Sequence, residues 1–552
     1  MIFATSSLNK FSVIKKLFIF VFCSLTINTF SAEGLIYAPD GDAIVITNGT
    51  RWNNRPLYCH ERFSLVWSGE MPALQGEMGV MYFGFQRGGQ RMLLQHFSHR
   101  VMRYRGGAMQ WEFADARFPG LKIVVTGTTL ADANGVTARM ETQGAQPGDN
   151  AVWIFYPPDA DKGAAVLARP ATAGFEFSRT PNESLTQVHG TISSPVKKWE
   201  QLAYANREDL NQAVPFASEL KPGSGLVAFV PLGNQPQFAV LATADNDAPG
   251  FARLVLRHAP LDLIKIADPA KAFAAGLARV NDLAERVKVN TPDPYINAAL
   301  PAAVASSAGI FVNPTFVHGG SNWRQQQPGW RTMGGAIYYG WPDQVRRAVD
   351  FWGKLQVQTN GDKTNAVFSA NGCQQAGNSL FFGAGWIDYQ QPPHYDFQTQ
   401  FFDEAVRAWR ATGDPALEKI LKPMLELHLE HCRACFDPDG DGLYESYNNT
   451  WPSDSVWFNG GGTPEESAYV YYGERAAADM CRLDDDAAGA AQHNAVAEKI
   501  RRAVNEKLWM PARGQFASFV EAGGHHRQMP DAWAYAECIP IEAGLATPEQ
   551  AW

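Results

Sequence analysis

Four carboxylates in the second half of the chain stand where acid–base chemistry could be done: Asp396, Asp454, Glu465 and Glu466. Asp454 lies between Trp451 and Trp457, whose apolar walls would raise its pKa and keep it protonated. Gly460 to Gly462 leave room beside it for a ligand. A protonated carboxyl paired with an ionised one is the equipment for breaking a glycosidic bond, one group protonating the leaving oxygen and the other attacking or activating water. Each residue also has a plainer use. Asp454 could serve as a loop or capping aspartate, Asp396 could cap a helix start, and Glu465 and Glu466 could be first-turn acids favoured by the helix dipole. Upstream, Trp323, Arg324, Trp330 and Arg331 fall in a glycine-rich loop, and His394, Tyr395 and Trp457 flank the carboxylates. Indoles stack on pyranose faces, and guanidinium groups donate paired hydrogen bonds to hydroxyls or carboxylates. Trp341, just before Pro342, reads instead as core at a helix start.

The elements that must position these residues are helical. Phe401, Ala405, Ala408 and Trp409 recur at helical spacing until Gly413 and Asp414, and Leu421, Met424, Leu425, Leu427 and Leu429 mark a second helix. The exit loop DPDGDGLYES follows, and a third helix opens at Thr463 with Pro464 in its first turn. An alanine-rich helix from Tyr295 to Phe311 opens this half.

The order ATGD, helix, DGDGL-x-E, W-P-x-D-x-x-W and S-A-Y, over about residues 291–552, resembles the six-hairpin glycosidases, the (α/α)6 toroids. The pattern is similar to that of the non-lysosomal glucosylceramidase-type and trehalase-type glycoside hydrolases. The resemblance implies that the loop holding Asp454 supplies the catalytic acid, with Glu465 its rival, and that Asp396 occupies a substrate-loop position. The sequence departs from the glucosylceramidase type at WRTMGGAIYYG: no Glu or Asp occurs between Leu300 and Trp341, so that family's nucleophile is missing. An inverting mechanism or a relocated carboxylate is then required. A fresh helix start at Thr547-Pro548-Glu549-Gln550 suggests a C-terminally incomplete toroid, with room for the second carboxylate beyond Trp552.

The rest of the chain reads as what precedes that toroid. Lys10, Lys15 and Lys16 before the apolar run Leu17 to Leu25 read as a signal peptide over residues 1–32, implying export to the periplasm or beyond. Residues 33–260 are expected to form a β-sandwich, with short β-branched and aromatic runs such as LKIVVTGTTL and AVWIFY between turn signals. Asn53 to Tyr58 form a polar-aromatic cluster best read as a turn. Residues 261–290 are a linker, with a helix expected over Pro269 to Val287. In this family, sandwich domains preceding the toroid are familiar, which agrees with the resemblance.

Composition narrows the partners. With 552 residues, 45% of them hydrophobic, the chain can build more than one core, and its net charge of −9 argues against nucleic acid or an anionic membrane. No run is long and apolar enough to span a bilayer. The basic stretch His96 to Arg105 reads as the solvated face of a strand. Cys59, Cys373, Cys432, Cys435, Cys481 and Cys538 are too scattered for a disulfide framework, and Cys432-x-x-Cys435 beside His431 reads as buried helix cysteines. Asp437, Asp439 and Asp441 begin like a calcium loop, but its twelfth position is Asn448, so a structural turn is preferred to a bound calcium ion, and no cofactor is expected. The expected fold is therefore a β-sandwich followed by an (α/α)6 toroid. The expected function is an exported glycoside hydrolase acting on a poly- or oligosaccharide. The alternatives are a toroidal polysaccharide lyase using His394 and Tyr395 with Arg331, or a non-catalytic carbohydrate-binding protein.

Overall fold

The computed structural model describes residues 37–48, 56–58, 65–67, 72–76, 79–133, 135–156, 166–179, 188–202, 225–243, 266–318, 325–326, 328–329, 331–359, 383–388, 395–446, 461–531 and 533–552. The expected leader, Asn53 to Arg55, Cys59 and Cys373 lie outside them. Two antiparallel sheets come first. Among the described residues the larger has ten strands, running from Ala38–Asp40 at one edge through Ala108–Ala114 and Gly135–Gln143 to Val166–Pro170 at the other. The smaller has eight and is centred on Asn150–Tyr156 and Gly79–Arg87.

Alternation decides which faces meet. Strand Ala108–Ala114 buries Met109, Trp111 and Phe113 and leaves Gln110 and Glu112 partly exposed. Those buried rings share one core with Phe83, Phe85 and Trp153 of the smaller sheet, Phe83 meeting Trp153 edge-on at 5.6 Å. Much of the basic stretch is the strand His99–Arg105. Its cations are matched locally, Arg103 by Asp40 at 2.6 Å and Arg105 by Asp42 at 2.5 Å.

Helices follow: α1 (Pro269–Arg286), α2 (Pro294–Gly309), the short α3 (Gly334–Tyr338), α4 (Pro342–Gly353), α5 (Tyr395–Thr412), α6 (Pro415–Phe436), α7 (Pro464–Leu483), α8 (Ala487–Lys507) and α9 (Ala534–Glu542). The cap-then-proline signal sets several starts. Asp268, Asp293, Asp414 and Thr463 each accept a first-turn N–H, and a proline follows each directly. The helix expected to reach Phe311 stops at Gly309, because Phe311 enters a hairpin with Thr315–His318. The start expected at Thr547 is a single turn with reciprocal bonds, Thr547 N–H to Gln550 Oε1 at 2.8 Å and Gln550 N–H to Thr547 Oγ1 at 3.2 Å.

α1 joins the two halves. Phe273 packs on Phe238 of the larger sheet under the Arg139 guanidinium, 5.1 Å from its ring centroid. Gly276 lets the helix approach so closely that an added Cβ would lie 2.3 Å from the Thr129 carbonyl oxygen.

Side-chain pairs fix the directions of the later helices. Arg407 and Arg410 of α5 both lie over Tyr472 of α7, and Arg410 pairs with Asp479, so α5 and α7 run parallel. Arg433 of α6 pairs with Glu474 and Lys422 with Asp484, so α6 runs antiparallel to α7. Glu426 of α6 meets His493 of α8 and Asp441, just past α6, meets Lys507, so α6 and α8 run parallel. The result is two layers of opposite direction. Burial ranks them: α7 buries 16 of its 20 residues, against six of 21 in α8, so α7 is the inner helix and α8 presents one stripe inward. On α6, Cys432 is fully buried beside His428, and Cys435 lies one turn from His431; both are free thiols. Among the described residues no helix is long and apolar enough to cross a membrane.

Candidate active site

The turn between α6 and α7 is built from its own aspartates. Asp437 Oδ1 accepts the Gly442 N–H at 3.1 Å, Asp439 Oδ1 that of Asp441 at 3.3 Å, and Asp441 Oδ1 that of Leu443 at 2.8 Å. Lys507 donates to Asp441 Oδ2 at 2.6 Å. The oxygens of the three aspartates lie within 4.8 Å of one another, and their hydrogen bonds give the D-x-D-x-D pattern a structural use irrespective of any ion. The chain then forms the strand Glu445–Ser446, paired with Gly461–Gly462, and enters α7. Thr463 Oγ1 accepts the Glu466 N–H at 3.3 Å, and Ser467 Oγ accepts the Tyr444 N–H at 2.9 Å, tying strand and helix into one corner.

Glu465 and Glu466 occupy the first turn of α7, each 1% exposed. Adjacent helical residues project about 100° apart, so the two carboxyls serve different neighbours. Burial pushes the Cys432 thiol on α6 well up, and the Glu466 charge adds to the shift, which places Glu466 toward the outer layer. Glu465 shares its face with Tyr469, one turn on. Tyr469 in turn acts on Arg331. Burial works against the Arg331 charge, but hydrogen bonds to Glu542 and the nearby Tyr469 and Asp403 hold the guanidinium protonated.

Arg331 is thus where α5, α7 and α9 converge. Its guanidinium grips Glu542 through two bonds, at 3.2 and 2.5 Å, and its side chain remains about one-third exposed, at 35%. Its backbone is left-handed, φ 52°, a conformation costly for a residue with a Cβ and found disproportionately at functional sites. From α5, Asp403 pairs with Arg407 at 2.9 Å, and burial nonetheless raises its pKa. Glu404 beside it is raised to about 8, first by burial, with the Met333 N–H opposing the shift.

The expected site residues are therefore placed unequally. Glu465, Glu466 and Arg331 are described as above. Asp396 and Tyr395 lie in the first turn of α5, two turns before Asp403, with their side chains outside the described part. Trp323, Arg324, Trp330, His394, Asp454 and Trp457 lie outside the described residues. Trp341 caps α4, partly buried under the Arg286 guanidinium.

Three acids escaped attention as candidates. Glu445 and Glu521 line a cavity of about 590 Å³ together with Asp441, Lys507 and His526. Burial raises the Glu445 pKa, with the Asp439, Asp441 and Asp437 charges adding to it, while Arg527 holds Glu521 at about 2. Glu445 is the glutamate of the DGDGL-x-E pattern, which marked the resemblance without marking it as an acid. The third is Glu404, whose partner is 71 residues away in sequence, and no local pattern announces it.

No protein-family profile matches the sequence, and no curated protein matches it. Solved structures do. A bacterial glucoamylase in complex with acarbose superposes with a TM-score of 0.52 at 10% identity, over 90% of this chain and 72% of that one. The fold is like that of this glucoamylase. A GH78-family rhamnosidase of Bacillus sp. GL1 covers 74% of this chain and 37% of its own at 12% identity, and its TM-score of 0.37 carries no further argument.

Proposed function

We propose that this protein is a glycoside hydrolase, exported behind a leader at residues 1–32, whose helical half is an (α/α)6 toroid acting on a poly- or oligosaccharide. The observation that carries this is the convergence on Arg331. Tyr469, one turn after Glu465 on α7, and Asp403 of α5, two turns after Asp396 in the sequence, both act on one left-handed, partly exposed guanidinium. Carboxylates carried on these two helices near a cation suit general acid and base catalysis on a sugar, the guanidinium holding hydroxyls in place. The likeness to the glucoamylase supports the architecture. Asp454, which precedes α7 in the sequence, is the proposed general acid, with Glu465 as its rival. Trp330, Trp323, Arg324, His394, Tyr395 and Trp457 are the proposed sugar contacts.

Digestion of a panel of oligosaccharides, followed by chromatography of the reducing ends, tests the proposal. Hydrolysis of at least one member is expected. Asp454→Asn should lower kcat on natural substrates by about 10²- to 10⁴-fold and spare activated aryl glycosides, which need little protonation. Unchanged turnover in Asp454→Asn together with its abolition in Glu465→Gln would move the acid to Glu465. No turnover of any panel member by the wild type would refute the hydrolase.

A further inference from the structure

We propose that Glu404 is a positioning residue: its buried carboxyl holds the backbone that sets the direction of Arg331 at the proposed site. This rests on the function proposed above. The backbone at Gly329 and Arg331 is awkward. Gly329 has φ 119° and sits so close to α5 that a Cβ there would lie 2.7 Å from the Phe397 oxygen, and Arg331 is left-handed at φ 52°. Such a conformation persists only where its surroundings over-determine it.

Three bonds do so. Thr332 Oγ1 donates to the Gly329 carbonyl at 3.2 Å, and the Gly334 N–H donates to the Arg331 carbonyl at 3.3 Å. The third comes from outside the turn: the Met333 N–H donates to Glu404 Oε2 at 3.1 Å, and the Gly334 N–H faces the same carboxyl. Met333 is 2% and Glu404 3% exposed, so water cannot replace that acceptor. Glu404 stands on α5 directly after Asp403, which also faces Arg331. One helix therefore fixes both the backbone and the charge environment of the cation. Glu404 acts through Arg331 rather than on the substrate.

The test is a double-mutant cycle on the full chain, with Glu404→Leu, Glu404→Gln, Arg331→Ala and the Glu404→Leu/Arg331→Ala pair. Hydrogen exchange read by mass spectrometry on peptides spanning residues 329–338 reports the turn, independently of turnover. Glu404→Leu should deprotect those amides and lower kcat/KM by about 10- to 100-fold. Glu404→Gln, whose amide oxygen can still accept from Met333, should keep both close to wild type. In the Arg331→Ala background, Glu404→Leu should lower kcat/KM no further, because the two act as one unit. Losses that multiply in the double variant would overturn the proposal. So would a Glu404→Leu protein with a lowered Tm but unchanged exchange and unchanged kcat/KM at temperatures where it is folded. A wild type inactive on every glycan would sink the hydrolase alone; the exchange arm, with calorimetric binding of the same glycans in place of turnover, would still decide for or against Glu404.

Discussion

Two glutamates in one helical turn can look interchangeable, yet their surroundings separate them. Glu466 is felt by Cys432 in the outer layer, whereas Glu465 stands above Tyr469 on the face that meets Arg331. Glu465→Gln is therefore expected to change turnover kinetics, and Glu466→Gln to leave kcat within a few-fold while shifting the denaturation midpoint. Steady-state kinetics beside urea melts of both variants decide this, and the reverse pattern would show that the faces are misassigned. Arg331 is a second case. Its planar fork spans both oxygens of Glu542, a geometry that a lysine ammonium cannot copy. Arg331→Lys should raise KM about tenfold although the charge is kept, in line with the loss of one charge-assisted hydrogen bond. A KM unchanged in that variant would mean that only the charge matters.

At the scale of helices and their partners, His493 of α8 locks three elements together. Its Nε2 faces Glu426 of α6 at 3.1 Å and its Nδ1 faces the fully buried Glu474 of α7 at 2.6 Å; hydrogen bonds to Glu426 and then Glu474 raise its pKa to about 9. A histidine raised in the folded state stabilises fully below its unfolded value, about 6.5, and loses that contribution as pH rises through the folded value. His493→Gln should thus cost about 1.5–3 kcal/mol near pH 6 and progressively less from pH 7 to 10. Urea unfolding at stepped pH measures it, and a pH-independent difference would mean that the ring acts by packing alone. Little of this lock was legible in the sequence. The start of α7 was, because Thr463-Pro464 is a local signal whose cap closes within one turn. The hairpin α5–α6 was legible too, because its apolar spacing is periodic and Gly413-Asp414 interrupts it. His493 and Glu474 lie 19 residues apart on different helices, and Arg331 and Glu542 lie 211 apart. Such pairings depend on how helices stack, and no short pattern encodes that. The turn aspartates 437, 439 and 441 show the opposite limit, where a familiar spacing fits a metal loop and a self-bonded turn equally well until the hydrogen bonds are seen.

Across the whole molecule, the sandwich and the helical half meet through α1 and α2, with Pro301 of α2 close to Gly106 of the larger sheet, and the closeness of the α1 contact sets the sign of a simple substitution. In an exposed helix, replacing glycine by alanine stabilises by about 1 kcal/mol, because alanine has less backbone freedom to lose. Gly276 is helical and buried, and its missing Cβ would lie 3.0 Å from Thr128 Cγ2, a tight contact, and 2.3 Å from the Thr129 oxygen, closer than real Cβ atoms come. The obstacle at Thr129 is backbone within a paired strand, so it cannot swing aside as a flexible side chain could. Overpacking of this kind costs about 1–3 kcal/mol, enough to cancel the helix gain and reverse it. Gly276→Ala should therefore destabilise the protein, lifting α1 from the sheet and weakening the Phe273 contacts with Phe238 and Arg139. Ala274, exposed on the same helix, supplies the control: Ala274→Gly loses only propensity, about 1 kcal/mol, and leaves the interface alone. Calorimetry separates the two, because Ala274→Gly should lower a transition without changing its shape, whereas Gly276→Ala should broaden or split it as sandwich and helices unfold less cooperatively. If Gly276→Ala instead raises Tm, α1 has room above Thr129 and does not bind the two halves closely.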